Sequence, residues 1–472
     1  MSETHLPEQQ GKTIIIGGGL TGLSAGYILS KAGLGVTVFE RDSIVGGISK
    51  TIEHNGFRFD LGPHRFFTKD ARIEEFVRNL MGDELMVVPR RTQIFIRGKY
   101  FDYPLEPVNA VFGMGVFTTV RILADYGWER IKRLFKKPAS ISLEDWVVAN
   151  FGRTLFDIYF KEYSEKVWGV DCKRISAEWV AQRIRGLSLS KAVMHAFFKL
   201  KGKDIPSLVD QFLYPRLGIG RISERMAEEI ERRGTVSTNC GVERIIRSGF
   251  TIDGVEVRGR NGLRVIRSDE FISSIPVTKL IDMLDPPAPP DVHKAAKSLA
   301  FRDIVIVAVM IDRPHVTDQT WIYVPEKTIP IGRIHEPKNW SVDMAPDGKT
   351  LLVAEFFSFE DDEIWNMGDQ GLVKIAVDSL TRLGYIQPHD VIGSVVTRVP
   401  KAYPLFAVGY REHLDVVYDY LSGFTNLHIA GRAGMLKYYN MDHAISSGMT
   451  VAEKILNNKA PVPDEKCEAA VS

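Results

Sequence analysis

A glycine-rich turn between a short strand and a helix is the feature that most constrains how this chain folds. Lys12–Ile16 is a β-branched run typical of a buried parallel strand, and Leu20–Leu34 has the apolar spacing of a helix. Between them, Gly17, Gly19 and Gly22 fit the pattern Gly-x-Gly-x-x-Gly. The first glycine permits a tight turn, the second lets the backbone approach a pyrophosphate, and the third lets helix pack on strand. The sequence therefore predicts a dinucleotide site.

A carboxylate ends the second strand of this unit. Val36–Glu40 follows the helix, and Glu40 lies about 20 residues after the glycines, where a carboxylate accepts hydrogen bonds from ribose hydroxyls. Leu20 and Thr21 open the helix, whose free N–H groups and positive dipole face the phosphates. A glycine-rich turn without a ligand is the alternative. The register of strand, helix and Glu40 favours the dinucleotide.

A second group of glycines follows the acidic residue. Arg41 precedes Gly46-Gly47-Ile48, and Gly62-Pro63-His64 comes shortly afterwards. This continuation resembles the FAD-binding fingerprint of the amine-oxidase and protoporphyrinogen-oxidase superfamily, and NAD dehydrogenases lack it. The resemblance implies an α/β fold with a Rossmann-like FAD-binding domain, a helical insert and a mixed or antiparallel sheet domain for the substrate. It implies FAD contacts from Arg41, Gly46, Gly47, Ile48, Gly62 and His64, the last beside the flavin.

Later segments fit further elements of the same superfamily. Val242 lies in the predicted strand Thr238–Ile246, for which an ordinary core strand is the alternative. Gly431 and Arg432 follow another strand, and a final helix is predicted at Ala444–Leu456. In the superfamily the corresponding helix points its N-terminus at the flavin and stabilises anionic charge there. The resemblance adds Val242, Gly431, Arg432, Met441 and Asp442 to the expected cofactor contacts.

Five short segments narrow this resemblance. They are Glu165–Gly169, Glu178–Ile184, Ile329–Arg333, Ala402–Pro404 and Gly431–Asp442. In this order they are similar to motifs of the UDP-galactopyranose mutase family, and the resemblance extends from about residue 12 to residue 456.

The resemblance implies that two arginines, Arg183 and Arg333, bind the phosphates of a nucleoside-diphosphate sugar and act in catalysis with His64. A planar guanidinium is the best partner for a phosphate. The resemblance also implies substrate contacts from Trp168, Trp179, Tyr403 and Tyr438. The alternatives are an ion pair for Arg183, a solvated loop for Arg333, and core packing for His64 and the four aromatic residues.

Three functional hypotheses follow. The mutase resemblance implies isomerisation between pyranose and furanose sugars, with reduced FAD as the nucleophile and NAD(P)H as one source of its electrons. An FAD-dependent oxidase or dehydrogenase of the amine-oxidase type is the second hypothesis, and it requires an apolar channel without paired arginines. A flavin-binding scaffold is the third, and the presence of candidate substrate residues disfavours it.

Composition excludes other classes of protein. The formal net charge of +1 disfavours a nucleic-acid binder. The longest apolar run, Ile304–Ile311, is far short of the ~18 residues of a transmembrane helix. The polar start without a signal-peptide core and the three scattered cysteines predict a cytoplasmic protein without a metal site. The basic stretch Trp128–Lys137 is typical of a solvated helix end, with weak peripheral membrane contact as its alternative. The oligomeric state stays open.

The alternation of patterns predicts three domains between disordered ends. The predicted units are 1–11 and 457–472 disordered, 12–70 with 205–295 and 400–456 as the FAD-binding domain, 71–204 as a helical domain, and 296–399 as the substrate-binding sheet.

Overall fold

The computed structural model describes residues 12–96, 98–102, 115–135, 141–178, 210–260 and 262–459. The strands are β1 Thr13–Ile16, β2 Val36–Phe39, β3 Thr51–His54, β4 Phe57–Asp60, β5 Leu85–Pro89, β6 Thr92–Ile96, β7 Lys99–Asp102, β8 Gln211–Pro215, β9 Thr235–Ser237, β10 Gly241–Ser248, β11 Thr251–Gly259, β12 Gly262–Ile266, β13 Glu270–Ser273, β14 Leu284–Asp285, β15 Ala300–Ile311, β16 Trp321–Tyr323, β17 Arg333–His335, β18 Thr350–Ser358, β19 Val391–Leu405 and β20 Leu427–Ile429.

The helices lie between and after these strands. They are α1 Leu20–Lys31, α2 Ala71–Met81, α3 Val116–Phe135, α4 Leu143–Phe151, α5 Arg153–Leu155, α6 Lys161–Trp168, α7 Arg221–Glu231, α8 Val277–Asp282, α9 Pro290–Ser298, α10 Glu363–Asn366, α11 Asp369–Arg382, α12 Tyr410–Ser422, α13 Gly431–Gly434 and α14 Met441–Lys459.

A five-stranded parallel sheet in the order β20-β13-β1-β2-β9 forms the centre of one half of the molecule. All four residues of β1 are buried, as expected of a strand covered on both faces. Ile15 pairs with Ile272 of β13 on one side and with Val38 of β2 on the other. The chain therefore builds this sheet from segments that are far apart in sequence.

The first and last helices of this half are in close contact. The Thr21 hydroxyl donates a hydrogen bond to the Ala444 carbonyl at 3.0 Å, and the Ser24 hydroxyl donates to the Ile445 carbonyl at 3.0 Å. A Cβ atom on Gly448 would lie 2.1 Å from the Thr21 carbonyl oxygen. Small residues on both helices thus let their backbones approach, and α14 covers the start of α1.

A seven-stranded sheet in the order β19-β15-β18-β17-β16-β6-β7 forms the second half. Strand β15, next to the edge strand β19, is almost wholly buried and pairs antiparallel with both β18 and β19. One face packs on α11 through Leu372, Ala376 and Leu380. The other face packs on the β3–β4 hairpin, which carries the chain from the glycine turn to the Gly62 loop.

Two smaller sheets complete the fold. The four-stranded sheet β12-β11-β10-β14 adjoins the parallel sheet through a shared core that includes Val242, Val257 and Phe271. Strand β8 pairs antiparallel with β5. The mixed α/β class that the sequence predicts is confirmed.

Three details differ from the sequence pattern. The predicted helical domain 71–204 is not helical throughout, because Leu85–Pro89, Thr92–Ile96 and Lys99–Asp102 form strands β5, β6 and β7. The alternation in Thr92–Ile96, where every second residue is buried, is the sequence signal of strand β6. The strand predicted at Thr238–Ile246 begins only at Gly241, as β10, and the preceding residues 235–237 form β9 in a different sheet. Strand β19 crosses the predicted boundary between 399 and 400 because its pairing with β15 continues to Leu405.

Some expectations fall on residues that the structure does not describe. They are the predicted disordered start 1–11, the predicted disordered tail 457–472 from residue 460 onward, and the parts of the predicted helical domain at 103–114, 136–140 and 179–204. The prediction of disorder is wrong for residues 457–459, which form the end of helix α14. Among the described residues, no helix has the length and apolar character needed to cross a membrane.

Candidate active site

The glycine cradle, defined here as Gly17–Gly22 with Gly46 and Gly47, has the geometry of a phosphate-binding turn. Gly17 has a φ of +106°, and a Cβ on Gly22 would lie 2.0 Å from the Gly17 carbonyl oxygen. The fold itself therefore requires glycine at both positions. At Gly19 a Cβ would meet only the Gly47 backbone, at 3.8 Å, which is an ordinary contact. A pyrophosphate against the turn would explain the glycine there, so the cradle fits a dinucleotide.

The carboxylate of Glu40 lies beside this cradle. One oxygen accepts a hydrogen bond from the Gly18 N–H at 2.8 Å, and the other accepts from the Asp42 N–H at 2.8 Å. The second glycine pair closes the same corner, because the Gly46 N–H donates to the Gly18 carbonyl at 2.8 Å. These two hydrogen bonds fix the orientation of the Glu40 carboxylate, and each oxygen keeps a lone pair that can accept from a ribose hydroxyl.

The C-terminal part of the chain contacts the cradle at Thr21. A Cβ on Gly431 would lie 2.5 Å from the Thr21 hydroxyl oxygen, and Gly431 has a φ of +81°. The Gly431 N–H donates to the Ser447 hydroxyl at 3.0 Å, which joins this turn to α14. Helix α14 begins at Met441, whose side chain lies in the same core as Leu20. The predicted cofactor residues of the two chain ends therefore meet in space.

Other predicted cofactor residues lie around the cradle. Arg41 packs beside Gly241, one residue before Val242 in β10. Ile48 packs with the core between the β3–β4 hairpin and the large sheet. Asp442 lies at the start of α14, where one of its carboxylate oxygens is 3.0 Å from His443 Nδ1.

A cluster of charged and phenolic side chains lies beside Gly62. We call Arg333, Glu355, Tyr403, Tyr438 and Arg432 the tyrosine–arginine cluster. Arg333 donates from Nε and from one terminal nitrogen to the two oxygens of Glu355, at 2.8 and 2.5 Å. Glu355 is fully buried, and the same terminal nitrogen of Arg333 is 3.2 Å from the Tyr403 hydroxyl. This is a bidentate ion pair inside the protein.

Two tyrosines and a second arginine form the other part of the cluster. The rings of Tyr403 and Tyr438 stack at 6.2 Å with an interplanar angle of 11°. The guanidinium of Arg432 lies 4.9 Å from the Tyr403 ring and 4.5 Å from the Tyr438 ring. It donates to the carbonyls of Tyr439 and Ala402, at 2.9 and 3.2 Å. Burial raises the pKa of Tyr403, so its hydroxyl stays a donor at neutral pH.

His64 lies beside the tyrosine–arginine cluster, next to Gly62 and near Arg333 and Arg432. Its Nδ1 is shielded from solvent and has no hydrogen-bond partner within the described part of the chain. Burial, with Arg333 and Arg432 nearby, lowers the pKa of His64 to about 3. The neighbouring Gly62 has a φ of +124°, and a Cβ there would lie 3.7 Å from Arg333 and from Glu355. His64 therefore places a neutral imidazole with one unused nitrogen beside Arg333 and Arg432.

Trp168 joins the cluster from the end of α6. Its buried ring makes an edge contact with Tyr403 at 6.3 Å. Trp179 and Arg183, the other predicted substrate residues of this region, lie outside the described residues. The structure thus brings together Gly62, His64, Trp168, Arg333, Tyr403, Tyr438 and Arg432.

Sequence reasoning missed three residues of this site. Glu355 was passed over although it is a lone carboxylate in the apolar strand Thr350–Ser358, which is itself a signal of a buried partner. Tyr163, on α6, has no signal beyond its helical spacing, whereas Lys166 lies in the segment Glu165–Gly169 that resembles a family motif, but no role was predicted for it. Within the described ranges, no group of three His, Cys, Asp or Glu side chains could hold a metal ion.

Comparisons with known proteins agree with this geometry. The family model for the flavin-containing amine oxidoreductases matches residues 20–456. The chain therefore belongs to that family of flavoenzymes, and membership implies FAD as the cofactor.

Two relatives that match over most of this chain are named as porphyrinogen oxidases. The chain is 20% identical over 476 residues to coproporphyrinogen III oxidase of Staphylococcus aureus, covering 94% of this chain and 98% of the relative. It is 23% identical to chloroplastic protoporphyrinogen oxidase 1 of Arabidopsis thaliana, covering 89% of this chain and 83% of that one.

Solved structures show the same fold. The crystal structure of a reduced UDP-galactopyranose mutase superposes with a TM-score of 0.80 at 22% identity, covering 96% of both chains. A putative protoporphyrinogen oxidase from Exiguobacterium superposes with a TM-score of 0.74 at 18% identity, covering 95% of this chain and 99% of the other. The predicted resemblance to this superfamily, with a mutase-like fold, is confirmed.

Proposed function

We propose that the protein is an FAD-dependent enzyme that acts on a nucleoside-diphosphate sugar, as a UDP-galactopyranose mutase does. The observation that carries the proposal is the tyrosine–arginine cluster at the Gly62 loop. An amine or a hydrocarbon substrate has no anionic group that could accept hydrogen bonds from two arginines and two phenols. A diphosphate accepts hydrogen bonds from both kinds of group.

The charge of the cluster supports an anionic substrate. Arg333 is neutralised by Glu355, whereas the hydrogen bonds of Arg432 go to the uncharged carbonyls of Tyr439 and Ala402. Arg333, Arg432 and Glu355 together therefore carry a net positive charge. Arg432 Nε is buried and has no hydrogen-bond partner among the described side chains and backbone. A buried donor of this kind is costly unless a ligand accepts from it.

The residues have separate roles in this proposal. Reduced FAD, when bound, supplies a nucleophile for the anomeric carbon of the sugar. Arg432 and the Tyr403 hydroxyl hold the diphosphate and stabilise the charge that develops as it leaves. Arg333 orients Tyr403, and neutral His64 offers a nitrogen towards the flavin without adding charge. Arg183, outside the described residues, remains the proposed second phosphate ligand.

A variant that lacks a single hydroxyl tests the proposal and leaves both members of the buried ion pair in place. Tyr403→Phe removes one donor to the diphosphate, so UDP affinity measured by calorimetry is expected to fall about three- to tenfold. FAD content stays unchanged. Tyr100→Phe is the matched control, because its hydroxyl also donates a hydrogen bond, to the Leu383 carbonyl, but at the far end of the large sheet. A wild-type protein that does not bind UDP would refute the proposal.

A second candidate is an oxidase of the protoporphyrinogen-oxidase type. The neutralisation of Arg333 by the fully buried Glu355 favours it, because a site for two phosphates gains nothing from a built-in carboxylate. The relatives that match over nearly the whole chain are also named as oxidases of porphyrinogens. Oxygen consumption with a porphyrinogen, in a protein that does not bind UDP, would establish this candidate instead.

A further inference from the structure

The loop 324–332 between β16 and β17 closes around one ammonium group. Lys166 Nζ donates to the carbonyl oxygens of Val324, Ile329 and Ile331, each at 2.7 Å, and of Glu326 at 2.9 Å. An ammonium has three N–H groups, so the four carbonyls share its donors. The loop is thus organised around a side chain that comes from another element, α6.

Other side chains of α6 contact the same hairpin. One carboxylate oxygen of Glu162 accepts from the Lys327 N–H at 3.0 Å, and Glu165 pairs with Lys327 Nζ at 2.7 Å. The Tyr163 ring meets the Tyr323 ring edge-on at 5.5 Å. The helix and the hairpin are therefore docked along the whole length of α6.

The loop leads directly into the active-site arginine. Ile331 is followed by Gly332, whose N–H donates to the Glu355 carbonyl at 2.8 Å. A Cβ on Gly332 would lie 2.5 Å from the Phe357 ring, so the backbone lies flat against that ring. Arg333 comes next. The position of its backbone is consequently fixed by Lys166 on one side and by β18 on the other.

A lysine at this place is not explained by packing alone. Burial lowers the pKa of Lys166 to about 7, against the opposing influence of Glu162 and Glu326. An apolar side chain of similar length would avoid the cost of burying a charge. It would also leave the carbonyls of Val324, Ile329 and Ile331 without the donor that now serves them, which is costly for buried polar groups.

We propose that Lys166 is a positioning residue, which organises the loop 324–332 so that Arg333 reaches Glu355 and Tyr403 in the geometry of the site. The role of Tyr403 towards a diphosphate, and the role of Arg333 in orienting Tyr403 for it, rest on the proposed function. The positioning itself does not, because it concerns contacts inside the protein.

The test uses a series in which the donors are removed stepwise. Lys166→Gln keeps two N–H donors without charge, and Lys166→Met keeps the length without any donor. Lys327→Met is the control, since it removes the neighbouring ion pair with Glu165 at the surface of the same loop. All variants are prepared as full-length protein with FAD bound.

Hydrogen exchange and a crystal structure report on the positioning without any substrate. Amides of 325–332 are expected to exchange at least tenfold faster in Lys166→Met and to an intermediate degree in Lys166→Gln, with no change in Lys327→Met. The Arg333 guanidinium is expected to move away from Glu355 in the crystal structure of Lys166→Met. An unmoved guanidinium with unchanged exchange overturns the proposal. If Lys166→Met does not fold, the same measurements on Lys166→Gln decide.

UDP affinity then separates a positioning role from a merely structural one. We expect the dissociation constant for UDP to be about tenfold larger in Lys166→Met at unchanged FAD content, and unchanged in Lys327→Met. Normal UDP affinity despite a displaced loop would show that the loop is only structural and would overturn the proposal. Failure of the wild type to bind UDP would contradict the proposed function instead. The hydrogen-exchange rates and the crystal structure would still decide the role of Lys166.

Discussion

The glycine cradle and the tyrosine–arginine cluster are built in different ways. The cradle is made of backbone, and its residues 17–22 and 46–47 are close in sequence. The cluster is made of side chains from three strands, β17, β18 and β19, and from helix α13 and the loop that follows it. A Cβ atom on Gly22 would lie 2.0 Å from the Gly17 carbonyl oxygen, and one on Gly19 would occupy the space of the ligand, whereas hydrogen bonds and stacked rings are lost one at a time. Substitutions in the cradle should therefore act in an all-or-none manner, and substitutions in the cluster by degrees.

The largest expected effect is in the cradle. Gly19→Val places a branched side chain where the pyrophosphate approaches the turn, and FAD content should fall from full occupancy to a level below detection by absorbance. The fold should survive, because a Cβ at Gly19 meets no protein atom closer than 3.8 Å. Gly368→Val is the control, since a Cβ there has no neighbour within 4 Å. Normal yellow protein from Gly19→Val would contradict the cradle as the FAD site.

A smaller effect, on stability, is expected in the cluster. Glu355→Gln leaves the Arg333 guanidinium charged and buried, which should lower the free energy of unfolding by about 3–5 kcal/mol. Asp378→Asn removes an exposed partner of Lys374 and should cost less than about 0.5 kcal/mol. Urea unfolding of both variants measures the difference. Equal losses in the two variants would mean that the Arg333–Glu355 pair is open to solvent.

The smallest expected effect depends on pH. Because burial lowers the pKa of His64 to about 3, the folded protein keeps this ring neutral at pH 5, whereas the unfolded chain takes up a proton below about 6.5. Stability is therefore fully present above pH 6.5 and is lost as the pH falls towards 3. At pH 5 the loss attributable to His64 is about 2 kcal/mol.

Denaturation at pH 7.5 and pH 5.0 measures this contribution. His64→Gln should be less sensitive to acid than the wild type, and the exposed His54→Gln should behave like the wild type. An identical loss of stability in all three proteins would show that His64 titrates normally.

The same contrast explains what could be predicted from the sequence. The strand, the glycine turn, α1 and Glu40 are neighbours in sequence, so a pattern of some 30 residues was enough for the fold class and the family. The Arg333–Glu355 pair and the carbonyls around Lys166 depend on how strands and helices pack, and no local pattern reports that. Strand β6 was missed because its alternation is short and lies within a region of helical spacing. The roles of Arg333, His64 and the tyrosines stay predictions.

The contact between α1 and α14 also has a consequence for the synthesis of the protein. The Thr21–Ala444 hydrogen bond spans 423 positions. Helix α1 is therefore synthesised long before α14, the helix on which it packs. Strands β13 and β20, which extend the parallel sheet on one side of β1, are also made late. Proteins with many contacts between residues far apart in sequence fold slowly, and a domain folds as one unit. Cofactor loading is therefore a post-translational event, and a chain that ends before Met441 should leave the ribosome with the open face of α1 as a target for chaperones.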